Sequence, residues 1–189
     1  ADGCQITEDY IIAEAEPMTA SISFIPPSCF GSFTGSATII TDGGTGVWTI
    51  AWSPSGGGGI TTTPIGADVY TANTTDGNGC TASFSVTVTE PEDVIAGVNA
   101  SVFYNGYEIS CFGFSDGTAA VTNGGGVPPY TYSWSPSGGN LQVETGMSVG
   151  LNTVTVTDGN NCTQSATITL TEPTYLDPNI FENFYSIST

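Results

Sequence analysis

The sequence predicts an all-β chain of tandem immunoglobulin-like β-sandwich repeats. Three observations carry the prediction: an internal repeat at fixed spacing, apolar residues alternating with polar ones, and glycine-rich turns between the alternating runs.

Displacing the sequence by 82 residues (111 − 29) lays Cys29 on Cys111, Trp52 on Trp134, Cys80 on Cys162 and Pro91 on Pro173. Over the 63 columns from Cys29 to Pro91 the two copies share 27 identities without a gap. The landmarks are CFG, WSPSGG, DGNxC and TEP, in that order in both copies. A fixed period without insertions is the mark of a repeat array. The reading divides the chain into four parts. Residues 1–17 close a preceding repeat, 18–91 and 92–173 are complete modules, and 174–189 open a following repeat or form a tail. On this reading the chain is cut from a longer array. A free-standing subunit whose terminal segments complete sandwiches across chains is the alternative.

Within each module the apolar period is two. Phe84, Val86 and Val88 alternate with Ser85, Thr87 and Thr89; Val154 and Val156 with Thr153, Thr155 and Thr157; Ala166, Ile168 and Leu170 with Thr167, Thr169 and Thr171. Such strands turn one face to a core and one to water. Further strands are expected at 19–25, 36–41, 47–52, 67–74, 94–104, 118–122 and 130–134. Turns are expected at 42–46, 54–59, 76–79, 124–128 and 136–139. Six or seven short strands per module fit an immunoglobulin-like sandwich. Residues 18–28 and 92–110 differ in length between the copies, which leaves the first strand open.

Eighteen acidic residues stand against no lysine, arginine or histidine, a net charge of −18. Without a cation the chain cannot neutralise phosphates, which excludes the usual mode of nucleic-acid binding, and anionic membrane surfaces repel it. No apolar stretch approaches the 18 residues or so of a membrane span, so no membrane insertion is expected. With no histidine or lysine to act as a base, the chain is expected not to be an enzyme.

Cysteines stand at 4, 29, 80, 111 and 162, with no CxxC pair, so structural disulfides in an oxidising, extracellular setting are expected rather than zinc. The equal spacing predicts two intramodule bonds, Cys29–Cys80 and Cys111–Cys162, with Cys4 left for an upstream partner. Pairing of Cys80 with Cys111 across modules is the rival.

Trp52 and Trp134 are expected to be core aromatics, because Tyr130, Tyr132 and Trp134 share one strand face; Trp48 is the better candidate for a surface or face-filling residue. A carbohydrate-binding module with surface glycans as partners is a further alternative, since an exposed tryptophan stacks on sugar rings. Asp76 and Asp158 sit in DGN turns, which need Asp, Gly and Asn for their backbone shape. No cofactor is expected; the weak metal alternative is calcium, with Glu90, Glu92, Asp93, Asp76 and Asp158 as candidates and Glu14, Glu16, Glu172 and Asp177 at the other junctions. The Glu–Pro pairs at 16–17, 90–91 and 172–173 read as stiff linkers. Asn73, Asn99 and Asn161 lie in N-x-S/T contexts.

The ordered string of Cys-Phe-Gly, aromatic-x-Trp-Ser, Thr-Asp-Gly-Asn-x-Cys-Thr and Thr-Glu-Pro resembles the SprB repeat of large cell-surface adhesins of gliding Bacteroidetes. The resemblance covers 29–91 and 111–173. It implies export by the type 9 secretion system, display on the cell surface as filaments, and roles in adhesion and gliding motility. Its implied partners are neighbouring repeats or identical subunits.

Overall fold

The computed structural model describes residues 3, 6–11, 13–54, 57–103 and 106–175. Cys4, Asp177 and most of the 174–189 segment therefore lie outside the described residues. The described chain is all-β, and it divides into two compact units, Ala1–Glu90 and Pro91–Thr189.

The first unit holds β1 (Thr19–Ile25), β2 (Gly35–Asp42), β3 (Thr49–Ser53), β4 (Thr61–Ile65), β5 (Asp68–Thr75) and β6 (Thr81–Val88). They form two antiparallel sheets, β1-β2-β4 and β3-β5-β6. Period-two patterning turns Ala37 and Ile39 of β2 inward, to meet Trp52 of β3, Ile65 of β4, Tyr70 and Ala72 of β5 and Val88 of β6 in one core. Each strand sends its intervening residues outward, so both sheets keep a wet face. That is a two-sheet sandwich of the immunoglobulin type.

The second unit repeats the plan with β7 (Ile95–Ala100), β8 (Gly117–Gly124), β9 (Thr131–Ser135), β10 (Val143–Met147), β11 (Gly150–Thr157) and β12 (Thr163–Leu170). Its sheets are β7-β8-β10 and β9-β11-β12. Val94, Ile109, Ala119, Val121, Trp134, Met147, Val154, Val156 and Leu170 form its core. The substitutions between the units conserve apolar character at inward positions: Ile39 against Val121, Ile65 against Met147, Val88 against Leu170.

Two elements differ from the sequence reading. No strand was expected at β4 or β10, whose sequences TTTPI and VETGM contain a proline and a glycine. Both are edge strands paired on one side only, to β2 and β8, where a missing or weak ladder donor is tolerated. The opening strand of the second unit is also shorter than the expected 94–104. β7 pairs from Ile95↔Gly124 to Ala100↔Ala119 and ends there. Its counterpart β1 pairs from Thr19↔Asp42 to Ile25↔Ser36. The length difference falls in the loops that follow, 26–34 in one unit and 101–116 in the other. In the longer loop Glu108 accepts both the N–H (2.9 Å) and the hydroxyl (2.6 Å) of Thr171, and the Ile109 side chain is fully buried.

Candidate functional site at the ends of the two units

At one end of each sandwich a single carboxylate organises the turns. Asp158 accepts backbone N–H groups from Val127, Asn160 and Cys162, each at 2.8 Å. Asp76 does the same for Thr45 (2.9 Å), Asn78 (2.9 Å) and Cys80 (2.8 Å). One oxygen fixes the β5–β6 or β11–β12 turn while the other reaches the loop after β2 or β8. Burial pushes these carboxyls up, but the N–H groups of Cys80, Thr45 and Asn78, and of Val127, Cys162 and Asn160, outweigh it and hold both below the usual carboxylate value. Asp76 and Asp158, two of the five calcium candidates, thus have their oxygens committed to the backbone. Among the described residues no three acidic or cysteine side chains gather as a metal-ligand set.

Replacing Asp158 with alanine strands three amide donors in a buried turn. Its transition should fall by roughly 10 °C in thermal denaturation followed by circular dichroism, and Asp158→Asn, which keeps one carbonyl oxygen, by less. A fall below about 3 °C for the alanine variant would contradict the hub.

The pH dependence follows from the same groups. A carboxyl depressed in the fold contributes stability that is present above its unfolded value and lost as pH falls through its folded value. Glu108, held by the hydroxyl and N–H of Thr171, and Asp116, held by the hydroxyl and N–H of Ser110, are depressed in the same way. With no histidine, the melting temperature should be flat between about pH 6 and 8. It should fall steeply below roughly pH 3.5, with a shallower acid fall in Asp158→Asn. A melting temperature at about pH 2.5 no lower than that at neutral pH would refute this.

The same end receives the incoming chain. Gly44 N–H donates to Glu16 O (3.1 Å), and Gly126 N–H to Glu92 O (3.0 Å). The preceding glycines, Gly43 and Gly125, lie at φ +74° and +61° directly against Pro17 O and Asp93 O. Glu92 and Asp93 therefore serve through their backbone carbonyls. Cys80 borders a shallow depression lined by Glu14, Pro17, Met18 and Asp76.

At the opposite end, a glutamate side chain ties the departing strand to the CFG loop. Glu90 accepts the N–H of Gly31 (2.6 Å), and Glu172 that of Gly113 (2.7 Å). Phe112 packs edge-on against Tyr175 at 5.5 Å.

These two ends decide the disulfides. Cys80 immediately precedes β6, whereas Cys29 lies in the loop that Glu90 holds beyond the far end of β6. Eight extended residues separate the two ends by about 26 Å, and a disulfide needs Cα atoms within about 7 Å. The expected bonds Cys29–Cys80 and Cys111–Cys162 are therefore not formed, and neither is the rival Cys80–Cys111. Cys80 and Cys111 are exposed and free, while Cys29 and Cys162 are each disulfide-bonded. Each sandwich carries one cysteine at each end.

The tryptophans lie in the cores. Trp52 and Trp134 are buried, and their indole N–H groups donate to Gly59 O (3.0 Å) and Leu141 O (2.9 Å). The WSPSGG segment loops back so that Gly139 O accepts the Trp134 N–H and Gly138 N–H donates to Trp134 O. Trp48 is half-buried, which agrees with the face-filling alternative. Tyr130, at its position in the second unit, donates its hydroxyl to Gly125 O.

The SprB repeat model matches residues 21–57 and 108–139. No curated protein sequence matches the chain. Among solved structures the chain is similar to the C-terminal 282-residue fragment of intimin, crystallised with the intimin-binding domain of the translocated intimin receptor. The identity is 14% and the TM-score 0.36, over 84% of this chain and 64% of that fragment. Both matched segments contain the WSPSGG motif and the strand before it, and one falls in each unit.

Proposed function

We propose that the chain is a structural segment of an extended cell-surface adhesin, in which sandwich units recur to give reach rather than to perform chemistry. The observation that carries this reading is the recurrence of one unit with its own closed core, its own Asp hub and SprB-repeat sequence in each copy. Repeats built this way depend mainly on local contacts, so length can be added without redesigning the fold. The acidic surface keeps an extended chain soluble and prevents lateral collapse. Display outside the cell, and service in adhesion or gliding, follow from the likeness to the SprB family.

The test is the size of the native polypeptide on a denaturing, reducing gel probed with antibody to this chain. A product many times larger than 19.3 kDa agrees with an array. A product of that mass would replace the spacer with a small self-assembling filament subunit.

A further inference from the structure

The four described cysteines fall into two positional classes. Cys29 and Cys111 occupy the CFG loop at one end of a sandwich; Cys80 and Cys162 occupy the DGNxC turn at the other. One member of each class is already disulfide-bonded. Both positions are therefore shown to support a disulfide in this fold. The two that are free, Cys80 and Cys111, are one of each class, and both are exposed.

We propose that Cys80 and Cys111 are complementary linking thiols, and that Cys111 of one copy of this chain forms a disulfide with Cys80 of another, joining repeats end to end. Because the two partners belong to different classes, two copies joined by one such bond still present one free thiol of each class, and further copies add to them as a covalent chain. Bond formation removes two protons and two electrons from the two thiols. A small-molecule disulfide such as oxidised glutathione accepts them: one thiolate attacks it, releasing one glutathione, and the second thiolate displaces the other. In a longer polypeptide the same chemistry staples Cys80 and Cys111 to repeats beyond those described, so that the array carries tension through covalent bonds as well as through strand packing. This rests on the repeat reading above.

The experiment uses the full chain with Cys4→Ser, to isolate the described thiols, treated with oxidised glutathione at neutral pH. A non-reducing gel should show a ladder of covalent multimers that collapses with dithiothreitol, and a Cys80→Ser, Cys111→Ser double variant should stay monomeric. Chymotrypsin replaces trypsin because the chain has no lysine or arginine. In the dimer band, peptide 71–84 should be joined to peptide 108–112. Monomer alone, the same linked peptides in the monomer band, or 71–84 joined to itself would each overturn the proposal. If that happened while the native polypeptide remained far above 19.3 kDa, the array would stand and only its covalent joining would be lost.

Discussion

Replacing Trp134 with alanine is expected to destabilise the second unit by about 4 kcal/mol. The side chain sits in the same cluster as Val121, Met147, Val154 and Leu170, contributed by both sheets. Its removal leaves a cavity that neighbours from two sheets cannot all collapse into, and large aromatic truncations in such sites cost about 3–5 kcal/mol. The indole N–H bonded to Leu141 O adds a smaller part, which Trp134→Phe isolates: the ring stays and one carbonyl loses its donor, for about 1–2 kcal/mol. Equilibrium urea denaturation should show the loss in the second unit's transition, with the first unit's unchanged. A cost below about 1.5 kcal/mol for the alanine variant would mean that the tryptophan is not the centre of the core.

Gly125→Ala should cost about 3 kcal/mol, more than glycine's backbone freedom alone explains. Its φ of +61° charges any L side chain roughly 1 kcal/mol. A Cβ there would also stand 1.9 Å from Asp93 O and 3.0 Å from Asp93 C, a clash with backbone that no rotamer change relieves. Moving Asp93 away pulls on the Gly126–Glu92 hydrogen bond and releases the chain as it enters the sandwich. Gly138 is the control. It has φ +76° and nothing within 4 Å of an added Cβ, so Gly138→Ala should cost only about 1 kcal/mol. Equal losses at the two positions would show that the packing of the incoming segment contributes nothing.

The sequence was legible where a local rule met a repeated pattern. Period-two alternation placed most of the strands, because a strand with one wet face writes that period directly into its residues. The tryptophans and the DGN aspartates were legible for a related reason, since aromatic alternation and turn chemistry are local. The disulfides were not. Equal spacing of Cys29–Cys80 and Cys111–Cys162 records only that the unit repeats; it says nothing about which end of a sandwich each cysteine reaches, and β6 carries the chain from one end to the other. The edge strands β4 and β10 were missed because their segments lack the period-two apolar alternation and contain Pro64 and Gly146, which an edge strand bonded on one side tolerates. The lengths of the loops after β1 and β7 differ without a turn signal strong enough to end β7 at Ala100. The Glu90–Gly31 and Glu172–Gly113 ties left no local mark either, although both glutamates were singled out as junction acids.

The central claim is that each unit closes its own core and yields as a separate element under load. Pulling single chains from their ends under reducing conditions, which opens the cystines, tests it most directly. The account predicts two separate unfolding events, each releasing roughly 25 nm of chain, as expected for some 80 extended residues less the folded length. A single event of about 50 nm would show one merged cooperative fold and contradict it.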